Sequence, residues 1–436
     1  MRLLYLTANL SRGCRASTMR DIELTSELER RGVRVTLLPL FSRPNVDGAP
    51  ATDERVYFSR AGLYLQERAP ALRWTPPVLD RLWDHSRVID LFDRHPFDID
   101  HRTFRQLLVS VLRGRDGAFR KEFDKFLDAI VELPRPDVVC VSSAWFTSLA
   151  QPIKQAIGRP VVSHLFGLDT LLELWPARPR YEGLESLRRH VEHVDGFLAS
   201  STWHASLMRD WLAIPPRRIH LAPGGVVIDA DGVQPRSAPG PRGPRLGYLG
   251  RIAPEKGLHV LCDAYIRLRT TGVLPCGRLE VAGHLDAEHV QYFEDLRSRL
   301  ASAGLLPELT FHGRLGRRRK AEFLRTLDVM SVPSTYAELD ARAVTEALGF
   351  GVPVVQPSRG VFPQLVEESG GGVLVAPDDP NALADGLMQL LADDRRHREA
   401  ADRGAAHVRA TRTVAHEAER FLEACATVRP SATRAA

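Results

Sequence analysis

Apolar residues along this chain occur in short unbroken runs and in stretches with a helical spacing, and the two kinds alternate. The first run, "RLLYLTA" at 2–8, reads as a buried strand. An amphipathic helix over 18–32 follows, ended by Gly32, and then a second strand, "VRVTLLPL". Between 44 and 130 prolines and aromatics interrupt the rhythm, and "FRQLLVSVLRG" is the readable helix there. The alternation resumes with strands at 136–143, 159–167, 194–201 and 218–225, and with helices over 146–157 and 203–213. The stretch "DADGVQPRSAPGPRGP" at 229–244 is rich in Pro, Gly and Ser, has no apolar period, and reads as a linker. A second series then begins. Its strands lie at 245–250, 278–283, 309–313, 329–334, 352–357 and 371–376. Its helices lie over 258–269, 286–303 and 318–327, with one more carrying Glu346 and others at the C-terminus.

Continuous Val/Leu/Ile strands alternating with helices predict parallel sheets covered on both faces. The expected architecture is therefore α/β, with two doubly wound Rossmann-like domains facing each other across a cleft. The first spans 1–228, the linker 229–244 and the second 245–412, with a terminal helix at about 413–436. In such sheets ligands bind outside the carboxyl ends of the strands, so the loops after 8, 143, 167, 225, 250, 283, 313 and 334 are the ones to read.

Composition narrows the classes without choosing among them. The chain has 436 residues, 44% apolar and 26% charged, as in an ordinary soluble protein. A net charge of +5 is too mild for a dedicated nucleic-acid binder. Cysteines at 14, 140, 262, 276 and 425 lack CxxC spacing, which argues against a disulfide framework or a zinc site and fits reduced thiols in a cytoplasmic protein. The N-terminal apolar run is short and lacks a small-residue cleavage site, so it reads as a strand rather than a leader. No run approaches the roughly 18–20 apolar residues of a spanning helix. The stretch 104–123 has apolar and basic faces; packing on its own sheet is one reading and peripheral contact with a membrane surface the other.

Two places carry candidate chemistry. The loop "RIAPEKG" follows a strand, with Gly250 just before it, and opens a helix. Arg251 and Lys256 at a helix N-terminus make a candidate anion site, although the segment is not the phosphate loop of ATP hydrolases. The run "GRLGRRRK" at 313–320 is a second basic loop, a phosphate contact on one reading and a solvated surface on the other. In "STYAELDARAVTEALGFGVPVV", Glu338 and Glu346 flank an apolar run. On one helix they would lie ~12 Å apart along the axis and ~80° around it, too far to share a metal or act as an acid–base pair. With Glu338 in the loop and Glu346 in the helix, they could meet two ends of one elongated ligand; solvated decoration is the alternative.

Together, "GRIAPEKG", "VPSTYAELDARAVTEALGFGVPVV" and "GVFPQLVEESGGGVLVAPDDPNALADGL" resemble the C-terminal half of the family 4 retaining glycosyltransferases, of GT-B fold. The resemblance covers nearly the whole chain and is strongest from about 195 to 395. It implies that Arg251 and Lys256 hold a diphosphate, that Glu346 takes the ribose, and that Glu338 stands beside the donor sugar. It also implies that Gly13 lies in the turn facing the donor phosphates and that Gly313 and Arg314 border the base. The sequence departs from the family where Leu339-Asp340-Ala341, followed by Arg342, stand in place of Pro/Gly-Phe-Gly. That departure bears on the donor-sugar pocket and makes Asp340 a further candidate for the sugar contact. Phe166 stands where the family often has histidine. His164, two residues earlier, is the candidate to reach the donor sugar, with a satisfied structural histidine as the alternative. The pairs "DAD" (229–231) and "DID" (98–100) sit in the linker and in the irregular segment, not after a strand, and are not read as metal ligands.

The resemblance thus implies transfer of a sugar, with retention, from a nucleotide diphosphate sugar to an unidentified glycan, lipid or small-molecule acceptor. It implies no cofactor and no metal. The alternatives are a non-catalytic nucleotide-sugar-binding protein and a nucleotide-sugar epimerase.

Overall fold

In a computed structural model of the chain, which describes residues 1–7, 16–40, 108–168, 175–228 and 243–429, the strands form two six-stranded sheets, each parallel throughout. The chain divides into two units, Met1–Pro223 with Val414–Ala436, and Gly224–Thr413.

The first unit contains β1 (Arg2–Thr7), α1 (Ala16–Arg30), β2 (Arg34–Pro39), α2 (Arg120–Glu132), β3 (Val138–Val141), α3 (Ala150–Ile157), β4 (Val161–His164), α4 (Ala177–Val191), β5 (Gly196–Ala199), α5 (Thr202–Leu212) and β6 (Ile219–Leu221). Their order in the sheet is β2-β1-β3-β4-β5-β6. Every residue of β3 and β4 is buried, as expected for a sheet covered on both faces. Ser201 caps α5 by accepting from the His204 backbone N–H. The C-terminal helix Val414–Val428 packs on α1, and Ala418, Phe421 and Cys425 join Leu24, Leu28 and Tyr5 in one core.

The second unit contains β7 (Arg245–Leu249), α6 (Leu258–Thr270), β8 (Arg278–Ala282), α7 (Val290–Ser302), β9 (Leu309–Phe311), α8 (Arg317–Thr326), β10 (Val329–Met330), α9 (Arg342–Gly349), β11 (Val354–Pro357), α10 (Phe362–Ser369), β12 (Gly372–Val375), α11 (Pro380–Leu391) and α12 (Asp394–Thr411). The order is β12-β11-β10-β7-β8-β9. The chain starts in the middle at β7, builds outward to β9, and returns to the other side of β7 through β10. The strand order therefore reverses between β7 and β10, and a ligand crevice in such a sheet opens at that point, outside the carboxyl ends of the two strands. The loops that meet there are 250–257 and 331–341.

Two helices depart from the expectation. Neither α2 nor α4 was legible, because α4 buries only Gly183, Leu187 and Val191 among many charged residues, and α2 falls where prolines upstream had broken the rhythm. The division between units falls ahead of the proline-rich stretch rather than in it. Val226 pairs with Thr413 and donates its N–H to Arg412 O at 2.9 Å, which ties 224–228 into the second unit. The Asp-x-Asp pairs at 98–100 and 229–231 lie outside the described residues, as does most of 229–244. No helix among the described residues is long and apolar enough to cross a membrane.

Candidate functional site

Gly250 follows β7, and its N–H donates to Ala282 O at 3.0 Å. Beyond it the chain makes a turn of 3-10 helix, Pro254–Lys256, and enters α6 at Gly257. Gly257 has φ +72°, and a Cβ there would lie 1.8 Å from Pro333 O. Only glycine lets the loop after β7 press against the loop after β10. The two are also tied by Thr335 N–H donating to Glu255 O at 2.9 Å.

This contact brings Lys256 to Glu338. The Lys256 ammonium lies 2.8 Å from Glu338 Oε1 and 2.6 Å from Tyr336 Oη, and the Ser334 hydroxyl donates to the same Glu338 oxygen. Glu338 is only 6% exposed, and its carboxylate is tolerated there because a cation and a hydroxyl meet it. Its backbone is gripped from the other side. Gly360, with φ +63°, sits where a Cβ would be 2.7 Å from Glu338 N, and Val361 N–H donates to Glu338 O at 3.0 Å. Arg251 is half-buried; its guanidinium meets Glu255 and comes within 3.9 Å of Asp286. Both expected phosphate ligands are therefore paired with carboxylates of this chain.

Glu346 lies within α9 and is 6% exposed. Lys320 of α8 reaches its Oε1 at 2.6 Å, and Arg342, the first residue of α9, reaches the same oxygen at 3.1 Å. Glu338 is in the loop and Glu346 in the helix, so neither is solvated decoration. Ala341, where glycine is the family pattern, has φ −104°, outside the positive-φ region that favours glycine. The departure there changes side chains without straining the backbone. The Asp340 carboxylate faces the backbone at Gly224, where a Cβ would be 3.5 Å from its Oδ1. Gly313 has φ +62° and accepts from Gly283 N–H at 2.9 Å, with Arg314 exposed beside it.

In the first unit, His164 ends β4 and is fully buried. Its ring stacks on Phe166 at 5.4 Å and on Phe421 at 6.0 Å, and neither ring nitrogen has a hydrogen-bond partner among the described residues. The Arg20 guanidinium stacks over Phe166 at 3.8 Å and bonds Asp21 and Ser142 O. Gly13 lies outside the described residues. Burial, with Arg20 nearby, holds His164 well below the ordinary histidine range, and burial holds His204 at about 4. Both rings stay neutral when folded, whereas in the unfolded chain they take up protons below about pH 6.5. Protons therefore favour unfolding: stability is intact above that pH and is lost as pH falls toward 4. His204 alone is expected to account for about 3 kcal/mol of that loss between pH 7 and pH 4. Melting temperature measured across that range should decline less steeply in His204→Leu than in the native protein; parallel slopes would show that His204 is already charged when folded.

The spacing of the motif marked the two glutamates but not their partners. Ser334 and Tyr336 lie in the same loop with no periodicity to single them out. Arg342 stands four residues before Glu346, an (i, i+4) pair that the helix makes legible. Lys320 lies 26 residues from Glu346 in the chain and meets it only in the folded structure. Asp286, Glu288 and His289 come within 4.8 Å of one another in the loop after β8, an acidic cluster near the surface that the sequence reading did not single out.

Two family models match the chain: "Glycosyl transferase 4-like domain" over residues 22–225 and "Glycosyl transferases group 1" over residues 234–407. Among proteins of similar sequence is a phosphatidyl-myo-inositol mannosyltransferase of Mycobacterium leprae (strain TN), 33% identical over 177 residues, which are 39% of this chain and 44% of that protein. The chain thus spans under half the length of that relative. Among solved structures, Anabaena Alr3699/HepE in complex with UDP and glucose superposes with a TM-score of 0.69 at 16% identity, covering 98% of this chain and 100% of that one. The sucrose-phosphate synthase of Thermosynechococcus elongatus does so with a TM-score of 0.72 at 17% identity, covering 98% and 99%. These structural likenesses establish the two-domain α/β fold of GT-B type.

Proposed function

Because the chain belongs to the family 4 glycosyltransferases, we propose that it transfers a hexosyl group, with retention of anomeric configuration, from a nucleotide diphosphate sugar to a hydroxyl of a glycan or lipid acceptor. The observation that carries this reading is the pairing of Lys256 with Glu338 at the strand-order reversal of the second sheet, one residue from each loop. A cation able to meet a diphosphate there stands 2.8 Å from a carboxylate able to meet the sugar attached to it.

In the proposed reaction the bond between the anomeric carbon and the diphosphate oxygen breaks. The acceptor oxygen bonds to the same carbon on the same face, and its proton passes to the departing phosphate oxygen. Arg251 and Lys256 meet the charge that develops on the diphosphate, an electrostatic role in which preorganised groups act without reorganisation. Glu338 stands beside the sugar as positive charge grows at the anomeric carbon. Glu346 accepts from the ribose hydroxyls, and the loop at Gly313 and Arg314 borders the base. Asp340 is a rival to Glu338 for the sugar contact. Transfer is proposed to be metal-independent, with Arg251 and Lys256 meeting the diphosphate in place of a metal ion. The proposed setting is the cytoplasm, with peripheral contact at a membrane where the acceptor is a lipid.

Thermal unfolding in EDTA with ADP, GDP, UDP, dTDP and their sugar conjugates tests this. One base series should stabilise the protein, by ~2.7 kcal/mol at a hundredfold excess over Kd. Absence of any shift ends the reading. A shift that needs manganese restored ends its metal-free part and points to Asp286, Glu288 and His289, beside Arg251.

A further inference from the structure

Arg342 sits where local helix energetics disfavour it. It is the first residue of α9, where the helix dipole opposes a cation. It also precedes Glu346 by four residues, the weaker of the two orders for a helical ion pair. Yet its side chain is largely buried, with Nε 3.1 Å from Glu346 Oε1 and Nη1 3.3 Å from Gly225 O. The guanidinium therefore bridges the carboxylate to the backbone that leads into the second unit. From the other side Lys320, the last residue of the "GRLGRRRK" run, reaches the same Oε1 at 2.6 Å. Both cations take one oxygen, and among the described residues Oε2 accepts no hydrogen bond. A carboxylate this buried needs partners to offset its lost hydration. Here the pairing is one-sided, which pins the carboxylate and leaves its second oxygen to meet a ligand.

We propose that Lys320 and Arg342 are positioning residues that hold the Glu346 carboxylate turned so that Oε2 receives the ribose hydroxyls of the donor. The inference rests on the reading of Glu346 as the ribose ligand. It assigns to the basic run a role inside the site, through Lys320, rather than direct phosphate contact. It also gives the family departure at 342 a function: the cation braces the ribose carboxylate instead of touching the sugar.

The test compares calorimetric binding of the tightest of ADP, GDP and UDP with that of its 2′,3′-dideoxy counterpart, in the native protein and in Lys320→Met, Arg342→Leu, Lys320→Arg and Glu346→Gln. Lys320→Met and Arg342→Leu should each bind the ribonucleotide about tenfold more weakly. The dideoxy nucleotide, which has no hydroxyl for Oε2 to meet, should bind all variants alike. Lys320→Arg should stay near the native affinity, and Glu346→Gln should abolish the preference for the ribonucleotide. Melting temperatures establish that each variant is folded. Equal loss of both nucleotides would make the two cations structural and overturn the inference, as would unchanged ribonucleotide binding. If the native protein itself does not distinguish the two nucleotides, the reading of Glu346 fails, and the positioning role falls with it.

Discussion

Replacing Lys256 with methionine is expected to lower turnover with the preferred sugar nucleotide by about 10²- to 10³-fold, the usual scale for removing one preorganised electrostatic contact to a developing charge. The same change strands Glu338, which keeps the Ser334 hydroxyl but loses its cation in a site only 6% open to solvent. Breaking a buried pair from one side costs roughly 3–5 kcal/mol, so Lys256→Met should also lower the melting temperature. The double change Lys256→Met with Glu338→Gln separates the two effects. Removing both charges should restore most of the lost stability, because no uncompensated carboxylate remains. It should restore none of the turnover, because the diphosphate still lacks its cation. If turnover of the double variant returns along with stability, Lys256 supports the fold and does not serve the reaction.

Glu338→Gln and Glu346→Gln should part in opposite directions. In the structure Glu338 holds Lys256 at 2.8 Å and so competes with any diphosphate for it. The glutamine releases that cation, and nucleoside diphosphate affinity should hold or rise, by up to about tenfold, or ~1.4 kcal/mol. Turnover should nevertheless fall by about 10²- to 10³-fold, because the carboxylate matters most as charge grows at the anomeric carbon. Glu346→Gln should weaken diphosphate and sugar nucleotide alike, by ~1–3 kcal/mol, through the contact to the ribose that both share. Calorimetry on each variant, with initial rates once an acceptor is identified, reads both halves. Weaker diphosphate binding in Glu338→Gln would contradict the competition for Lys256. A larger turnover defect in Asp340→Asn than in Glu338→Gln would move the sugar contact to Asp340.

The strands and most helices were legible because buried parallel strands leave unbroken apolar runs, as "VVCV" and "VVSH" do in β3 and β4. The helix α4 was not, because a helix that buries one narrow stripe gives too weak a period to stand out from a charged loop. The spacing of Glu338 and Glu346 argued only against a shared metal or an acid–base pair, since on one helix they stand ~12 Å apart along the axis. At Ala341 the sequence could not show the backbone angle; the structure gives φ −104°, outside the positive-φ region that favours glycine.

The sequence by itself determined the alternation of strands and helices, and with it the fold class, the two series and the loops where chemistry would gather. These follow from short-range rules, since the period of apolar residues and the punctuation of Gly and Pro act within a few neighbours. Only the tertiary structure decided strand order, and so the reversal between β7 and β10 that places the loop of Lys256 against the loop of Glu338. The same holds for partners far apart in the chain: Lys256 with Glu338, Lys320 with Glu346, and the Arg342 guanidinium on Gly225 O. No local pattern encodes such pairs, because the free energy that brings them together comes from burying the apolar faces of whole helices and strands. The charges are carried to one another by that packing and then satisfied where they meet.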